Sequence, residues 1–349
     1  MTVPPYQIQE LITNVFSQLS DSVLQGIQIR CGQALGTELY IGCSNGELMR
    51  FSLQGGDSNK AESYTILSRQ SVPNDKAVED IVLLPSISRA LVFSDNQIHF
   101  YTLPSLDVVS YQLIKPIRHV IAFAVDQLHL LRPMPPTSGP PHRLEPVDFC
   151  VIKRSSLAMY SLGQRLFYQK EIPLPQGGTL ARRIGSSLCI ADKINYNMLN
   201  LETAEIFPIL PLNQDVDAPN LPVEPFIIPT GEGDFLVVSW TGQSSMGIFL
   251  TGSGDPVRGT LTWTQHPTSI CLDLPHATAI LPDGAIEIHN IDSQSLVQVI
   301  PPPPNDGPVD RTRLVSSLLG YIVPSDQHLT KMSKVPVKLD RRPASELES

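Results

Sequence analysis

The chain has 349 residues, 42% of them hydrophobic and 17% charged, so it can bury a large core, and its composition excludes a broadly disordered protein. Its 25 basic and 34 acidic residues give a net charge of -9, which excludes nonspecific attraction to nucleic acid or anionic lipid. The first residues lack the pattern of a signal peptide, and the longest apolar run, 120–125, is far too short to span a bilayer. We therefore expect a cytoplasmic protein without a nucleic acid partner.

The cysteines also indicate a cytoplasmic protein. They are odd in number, lie far apart, and include no C-x-x-C pair. No N-x-S/T glycosylation site occurs in the chain. We expect reduced cysteines that fill the core: Cys31, Cys43, Cys150, Cys189 and Cys271.

The first strong structural signal is a hairpin pattern at 38–53, ELYIGCSNGELMRFSL. An apolar run is followed by the turn SNG and by a second run in which apolar and polar residues alternate. The same design recurs five times, at 90–103, 149–162, 188–201, 235–250 and 278–291. Counted from the first apolar residue of each, successive copies start 39 to 59 residues apart, near the ~40–50 residues of four-stranded propeller repeats. The spacing predicts one hairpin for each blade of a propeller.

Short apolar runs precede the hairpins and supply a third, inner strand for each blade. These runs are 23–30, 78–85, 117–125, 180–185, 225–229 and 268–274. The tail offers further strands at 311–324 and 333–339. We therefore predict an all-β, seven-bladed β-propeller, which strands from both termini, including 6–12, could close. The alternatives are a β-sandwich and two small β domains.

Proline-rich segments separate these elements. They lie at 132–147, 208–229 and 301–308, and a further long connection covers 54–77. Proline removes a hydrogen-bond donor from a sheet, so none of the three is expected to be a central strand. We interpret them as loops on the rims of the blades, with recognition by an aromatic-lined domain as the alternative for the polyproline runs.

No local signature of catalysis is present. The phosphate-binding loop, the zinc-protease motif, the nucleophile elbow and the dinucleotide-binding turn are all missing, and the eight histidines are scattered singly. A pair of carboxylates could meet only through the fold. We therefore predict no catalytic residue, no cofactor and no metal site.

The most informative stretch is 247–272, GIFLTGSGDPVRGTLTWTQHPTSICL. In its turn, Gly254 permits a positive φ, Asp255 can cap its own backbone, and Pro256 fixes the next φ. The following TLTW alternates as a strand, in which Trp263 offers a large anchor for packing between sheets. We therefore interpret the residues of this stretch as ones that stabilise the fold.

This stretch resembles the citron homology (CNH) domain, which carries an aliphatic-Phe strand, then G-D-P-x-R-G-T-L-x-W, then a proline. The matching positions, which we interpret as folding positions, are Phe249, Gly254, Asp255, Pro256, Arg258, Gly259, Thr260, Leu261, Trp263 and Pro267. The hairpin 38–53 and the closing segment 320–339 are also similar to this family. Within it, the chain most resembles subunits of the CORVET and HOPS tethers, including those like TGF-beta-receptor-associated protein.

The resemblance implies a seven-bladed propeller at the start of a tether subunit, peripheral on the endosome or vacuole membrane. It also implies recognition of a Rab-type GTPase, with only indirect contact to the membrane. Relatives continue into a helical solenoid that contacts other tethering-complex subunits. We therefore expect a single domain at 1–339 and a tail at 340–349 that leads toward an absent solenoid.

Three classes of function remain in view. The leading hypothesis is a non-catalytic interaction module, since loops on a rigid scaffold suit protein recognition. The second is a propeller enzyme, whose sign would be carboxylates or histidines that converge at the central channel. The third is a regulatory CNH domain of a kinase or Rho exchange factor. The residues that bind the partner are not readable from the sequence.

Overall fold

The structure is a computed structural model, and it divides the chain into two compact units. The first unit comprises Met1–Ile81 and Pro267–Ser349, and the second comprises Val82–His266. The backbone is described for residues 6–10, 27–54, 63–135, 144–230, 233–302, 315–317, 320–328 and 332–341, and side chains for residues 6, 27–54, 64–135, 144–230 and 233–302. The single domain at 1–339 stays a prediction.

Blades II to V fall wholly or mainly in the second unit, and each is an antiparallel sheet of four successive strands. Blade II contains β6 (Val78–Leu84), β7 (Arg89–Ser94), β8 (Gln97–Thr102) and β9 (Ile117–Arg118). Blade III contains β10 (Ala122–Val125), β11 (Val147–Ile152), β12 (Ser156–Leu162) and β13 (Leu166–Pro173). Blade IV contains β14 (Leu180–Ile184), β15 (Ser187–Ala191), β16 (Asn195–Asn200) and β17 (Ile206–Pro211). Blade V contains β18 (Ile227–Pro229), β19 (Phe235–Trp240), β20 (Ser245–Leu250) and β21 (Leu261–Trp263).

Blades I and VI belong to the first unit. Blade I contains β2 (Ile29–Leu35), β3 (Glu38–Cys43), β4 (Glu47–Gln54) and β5 (Ser63–Ser71). Blade VI contains β22 (Ser269–Asp273), β23 (His276–Ile280), β24 (Ile286–Asn290) and β25 (Ser295–Ile300). A short helix, α1 (Gln127–Leu130), follows β10, and two single-turn 3-10 helices lie at Pro73–Asp75 and Pro85–Ile87.

The six predicted hairpins are confirmed as the second and third strands of the six blades. In blade I, for example, β3 and β4 pair antiparallel with Leu39 opposite Phe51 and Ile41 opposite Met49. The inner-strand predictions at 78–85, 180–185, 225–229 and 268–274 are also confirmed. The predicted run 23–30 overlaps the inner strand β2 only at its last two residues, and 23–26 lie outside the described residues. The run 117–125 spans two elements, β9 at its start and β10 at its end. These predictions rested on the alternation of apolar and polar residues, which is expected in a strand that buries one face.

The predicted number of seven blades is corrected to six. Within the described residues, six sheets are built from four strands that follow one another in the chain. The other strands pair across the ends of the chain: β1 (Tyr6–Glu10) lies beside β28 (Met332–Arg341), followed by β27 (Gly320–His328) and β26 (Val315–Ser317). Only Tyr6 has a described side chain in this terminal sheet, so no blade core is assigned to it. Counting the tail strands as a regular blade was therefore wrong.

Tyr6 joins β1 to blade VI through both its backbone and its side chain. The Tyr6 N–H donates to the Gln298 side-chain carbonyl at 2.9 Å, and the Gln298 amide donates to the Tyr6 carbonyl at 2.9 Å. The Tyr6 hydroxyl donates to the Asp273 carboxylate at 2.8 Å, and its ring meets the His276 ring edge-on. Its side chain is buried, so this contact holds β1 by packing as well as by hydrogen bonds.

Two segments that were predicted as loops contain strands. Strand β5 lies within 54–77, and β17 and β18 lie within 208–229. Strand β17 is the outer strand of blade IV, so Pro208 and Pro211 remove no donor that a further strand would need. Most of the polyproline segment 301–308 lies outside the described residues.

The cores consist of apolar side chains that the blades bury against each other. One cluster in the second unit joins blades II and III, and includes Leu91, Phe100, Phe123 and Phe149. All five cysteines are buried, which confirms the prediction that they fill the core. Burial raises the pKa of the Cys271 thiol, so this group stays protonated in the core.

The hairpin 38–53 shows how closely the chain packs in blade I. A Cβ atom on Gly42 would lie 2.5 Å from Val78 Cγ1 and 2.6 Å from Cys31 Sγ, so any larger residue would force neighbouring atoms apart. The turn itself depends on Gly46, whose φ of 86° is in the left-handed region. Both glycines are needed for geometric reasons, Gly42 for space and Gly46 for backbone conformation.

We expect Gly42→Ala to lower the free energy of unfolding by about 1–3 kcal/mol, because the added methyl overpacks a site bounded by Val78 and Cys31. Gly32→Ala is the matched control in β2, since its Cβ would meet only the Tyr40 carbonyl at an ordinary 3.6 Å. Urea unfolding of both variants gives the comparison. Equal losses of stability would contradict the packing argument.

Candidate functional site

The family-motif residues lie around the loop between β20 and β21 of blade V. Phe249, Leu261, Trp263 and Pro267 are buried, whereas Asp255, Pro256 and Thr260 are exposed; Gly254, Arg258 and Gly259 are half-buried. The loop therefore has an inner set of apolar residues that pack within the fold and an outer set that faces solvent. Its backbone is positioned by the pairing of β20 with β21, in which Gly247 lies opposite Leu261.

Trp263 packs over Gly247. The Trp263 side chain is fully buried, and a Cβ atom on Gly247 would lie 2.8 Å from its Cζ3 atom. Leu236 Cδ1 would lie 3.0 Å from the same Cβ. The glycine therefore provides the space that the indole ring fills, and the two positions depend on each other.

Hydrogen bonds fix the turn that follows β20. The Thr251 N–H donates to the Asp255 carbonyl at 2.9 Å, and the Gly254 N–H donates to the Thr251 carbonyl at 2.9 Å. The Thr251 hydroxyl also accepts from the Asp255 N–H at 3.1 Å. The Asp255 carboxylate accepts from the Ser253 hydroxyl at 2.8 Å, so it does not cap its own backbone as the sequence suggested.

Two glycines let this turn lie against blade IV. A Cβ on Gly252 would collide with the Ser187 side chain, and a Cβ on Gly254 would lie 3.0 Å from Phe207 Cε2. Gly254 also has a φ of 88°, which side chains rarely adopt. The glycine positions of the motif therefore serve close packing between two neighbouring blades.

Arg258 interacts with a carboxylate and with an aromatic ring. Its guanidinium lies 3.5 Å from Asp234 Oδ2 and 5.8 Å above the centre of the Phe249 ring. Both partners are in blade V or in the loop before β19, so the arginine connects the motif turn to its own blade. A cation over an aromatic face is attracted by the ring quadrupole.

A histidine and a serine meet near the other end of blade V. His266 Nε2 lies 2.8 Å from the Glu224 carbonyl, and Nδ1 lies 2.8 Å from Ser245 Oγ. Because a carbonyl only accepts, Nε2 carries the proton and Nδ1 accepts from the Ser245 hydroxyl. Burial lowers the pKa of His266, although the Glu224 carbonyl opposes this shift. Since Ser245 is fully buried, this pair fastens the loop before β18 and does not present a nucleophile.

Titratable groups also converge at the inner strands of blades III and IV. Asp126 Oδ2 lies 3.7 Å from an Arg183 nitrogen, and both side chains are almost completely buried. Asp126 Oδ1 accepts from the Gly185 N–H at 3.0 Å and from the Leu128 N–H at 3.1 Å, which also caps α1. Arg183 donates to the Gly185 carbonyl at 2.8 Å. These bonds hold the inner edges of two blades together.

The titratable side chains beside this ion pair also have bonding partners. The Asp148 N–H donates to His129 Nδ1 at 2.8 Å, and burial lowers the pKa of His129. Arg183 lies 3.7 Å from Cys150 Sγ, yet burial raises the pKa of this thiol to about 11. A thiol that stays protonated is a poor nucleophile. The arrangement is therefore suited to joining strands.

The described residues contain neither a metal-binding cluster nor a membrane-spanning helix. No group of three or more His, Cys, Asp or Glu side chains in this part of the chain could hold a metal ion. No helix in the same part has the length and hydropathy needed to cross a membrane.

Sequence reasoning named the motif but missed the residues that it contacts. Ser187, Phe207 and Asp234 lie 20 or more residues from their partners in the motif turn, and no local pattern marks them. The pairing of Asp126 with Arg183 was missed for the same reason. One sequence signal could have indicated the contacts of the motif turn. Gly252 and Gly254 lie close together, and glycines in a turn can mark a place where another part of the chain approaches closely.

The described sheets and their hairpins define an all-β protein with six blades of the β-propeller type. The chain belongs to the CNH domain family, whose profile matches residues 36–307. The solved AfRom2 CNH domain has the same fold, with a TM-score of 0.63 at 18% identity over 97% of this chain and 100% of that chain.

Two curated relatives are vacuolar sorting proteins. The chain is 23% identical to vacuolar protein sorting-associated protein 3 of Saccharomyces cerevisiae over 297 residues, which is 78% of this chain and 25% of that protein. It is 22% identical to vacuolar sorting protein 39 of Arabidopsis thaliana over 255 residues, 72% of this chain and 23% of that protein. The chain therefore spans about a quarter of the length of the curated relatives that it matches.

We expect Trp263→Ala to cost about 3–5 kcal/mol of stability, because it removes a buried aromatic side chain. Gly247→Ala should cost about 1–3 kcal/mol in the natural chain and much less in the Trp263→Ala background, since the clashing ring is then gone. A double-mutant cycle in urea measures this coupling. Additive losses would contradict the proposed contact, and normal melting with loss of a partner would reassign Trp263 to a binding surface.

Lowering the pH should destabilise the protein through His266. Its pKa in the folded state lies below the value of about 6.5 in the unfolded chain, so the unfolded state binds more protons below that pH. Stability is therefore complete above about pH 6.5 and falls below it. His266→Asn should reduce this slope, while His119→Asn, at an exposed site, should leave it unchanged. Equal slopes in urea unfolding at several pH values would rule out this role.

Proposed function

We propose that the chain is a non-catalytic interaction module of a CORVET- or HOPS-type tethering complex, which recognises a Rab-type GTPase in its GTP state. The observation that carries the proposal is membership of the CNH family together with relatives named for vacuolar sorting. The side-chain geometry gives further support. The buried groups with catalytic potential, such as Ser245 and Cys150, are engaged in bonds that hold the fold.

Discrimination between nucleotide states follows from how a GTPase changes shape. The γ-phosphate orders the switch segments, so a surface that contacts them gains contacts in only one state. Loops fixed on a rigid sheet scaffold, such as the turn after β20, can offer such contacts without reorganising. An isolated domain can bind weakly and still serve a tether, because several attachment points act together.

The remaining parts of this proposal concern place and assembly. We propose a cytoplasmic protein that is peripheral on the endosome or vacuole membrane and reaches the bilayer through its GTPase. The net charge of -9 supports this indirect contact, because anionic lipid repels it. We propose that contacts with other tethering subunits are made by regions outside the quarter of the relatives that this chain matches. Residues 1–339 are proposed to act as one domain.

The test is binding of the 349-residue chain to a panel of Rab proteins loaded with a nonhydrolysable GTP analogue or with GDP. We expect one or a few Rab proteins to bind at least about tenfold more tightly in the GTP state, which corresponds to about 1.4 kcal/mol. Surface-immobilised GTPase and soluble chain give the dissociation constants.

Protein-free liposomes with anionic lipid are the control. The proposal expects negligible binding to them and recruitment only when a GTP-loaded, membrane-anchored Rab is present. Equal binding to both nucleotide states across the panel would overturn the assignment, as would strong binding to bare liposomes.

A further inference from the structure

A basic surface lies at one end of blades III and IV, where a turn joins the second strand of each blade to the third. The turns are 153–155 in blade III and 192–194 in blade IV. Ile194 is 68% exposed, and Ile121, which directly precedes β10, is 43% exposed. We give the name basic face to five residues: Ile121, Lys153, Arg154, Lys193 and Ile194.

The blade III turn has a backbone neighbour on each side. The Ile121 N–H donates to the Ile152 carbonyl at 2.9 Å, which places Ile121 beside the start of this turn. The connection that leaves β13 lies on the other side, because the Leu174 N–H donates to the Ser155 carbonyl at 2.9 Å. Ile121 and the two cations of the turn are therefore parts of one surface.

The connection after β13 also reaches the blade IV turn. A Cβ atom on Gly178 would lie 2.7 Å from Ile190 Cγ2 and 3.0 Å from Ile152 Cδ1, so the chain passes directly between blades III and IV at this point. The Thr179 N–H then donates to the Ala191 carbonyl at 2.8 Å, immediately before the blade IV turn. A single stretch of backbone therefore separates the two basic turns.

The segments that form the basic face contain one acidic residue, Asp192, which is 9% exposed. Its carboxylate accepts from the Ile194 and Asn195 N–H groups at 2.7 Å each, and from the Asn197 side-chain amide at 2.9 Å. Asp192 therefore fixes the shape of the turn that presents Ile194. Within the part of the chain that the structure describes, three cations form neither an ion pair nor a side-chain hydrogen bond: Lys153, Arg154 and Lys193.

The neighbouring carboxylates belong to other segments. Asp95 lies in the turn of blade II. Glu171 lies on the outer strand β13, with its carboxylate 3.5 Å from the Tyr168 hydroxyl. Asp215, in the connection to blade V, accepts from the Asp217 N–H at 2.9 Å. The basic face is therefore a local positive surface on a chain whose net charge is -9.

We propose that the basic face docks an acidic protein segment that carries an apolar residue. The carboxylates of the segment pair with Lys153, Arg154 and Lys193. Its apolar side chain packs on Ile121 or Ile194, because exposed apolar groups beside charged ones are typical of protein interfaces. The inference goes beyond recognition of a GTPase, since it assigns a partner chemistry to particular residues and does not depend on nucleotide state.

Charge complementarity selects this partner among anionic ones. Three cations are fewer than the roughly four to eight that mark a surface for anionic lipid. A bilayer or a nucleic acid would also bring an extended negative charge toward a chain of net charge -9. A short acidic segment places its carboxylates on the basic face alone.

The probe for the test is a fluorescein-labelled peptide in which aspartate and glutamate flank a Leu-Phe pair. Fluorescence polarisation measures its affinity for the full chain. Two control peptides replace either the acidic residues by lysine or the Leu-Phe pair by two serines. We expect saturable binding of the first peptide, with affinity at least about tenfold weaker for the lysine peptide and severalfold weaker for the serine peptide.

Two matched variants separate a local site from general attraction by charge. Arg154→Glu changes the basic face, and Arg165→Glu makes the same change in the turn at the opposite end of β12, about 20 Å away. Both arginines are exposed. The first variant should weaken binding at least about fivefold, and the second less than about twofold, since this separation exceeds the screening length in salt. Equal losses would overturn the proposal.

The apolar part of the basic face has its own variant, Ile194→Ser, which keeps the backbone bond to Asp192. It should weaken binding severalfold, and the loss should persist at high salt, where exposed charges are screened. Leu131→Ser is the control, because Leu131 is 58% exposed and follows α1 outside the basic face. The melting temperature of each variant checks folding. Unchanged affinity of folded Ile194→Ser would contradict the proposed contact.

Two further probes test the other anionic partners: protein-free liposomes with anionic lipid and a single-stranded oligonucleotide. Tighter binding of either one than of the acidic peptide would overturn the assignment to a protein segment. A photoreactive leucine in the peptide gives the location of the site. We expect crosslinks to Ile121 or to residues 152–155, 174–179 or 192–195, and crosslinks confined to other segments would refute the site.

Discussion

The fold depends on sheets packing face to face at distances that leave no room for spare atoms. A strand in the middle of a blade is covered on both faces, so its side chains must fill the space between sheets without exceeding it. Gly42 in blade I and Gly247 in blade V show this constraint within strands, because a single Cβ at either position would collide with a neighbour. The buried position of Trp263, and with it the strand β21, follows from the space at Gly247.

Whether a strand could be predicted from the sequence depends on how much of it neighbouring sheets bury. The six hairpins were predictable, because strands covered by neighbouring sheets must alternate or be continuously apolar. The outer strands were not, since β17 has one free edge and accepts Pro208 and Pro211 as easily as a loop would. The blade number was overestimated because strands near the ends of the chain were counted as a regular blade. Contacts of the motif turn joined residues that no local pattern connects.

The family motif therefore combines two kinds of residue. Phe249 and Trp263 are needed inside the fold, while Asp255 and Pro256 lie outside on a turn that two glycines allow to pack against blade IV. A rigid turn on a packed scaffold is a common way to present a binding surface. The sequence identified the turn as structural, and the structure adds that one side of it meets solvent beside Phe207.

The anchoring of Tyr6 by Gln298 has a consequence for biosynthesis. These residues are 292 positions apart, so β1 cannot make this contact until the ribosome has added Gln298. At about 5–20 residues per second, the wait is roughly 15–60 s. The compact unit Val82–His266 is continuous in sequence and needs no such delay. During synthesis, β1 therefore remains without its blade VI contacts after all residues of the unit Val82–His266 have been added. In this interval β1 is a substrate for a chaperone that holds unfolded segments.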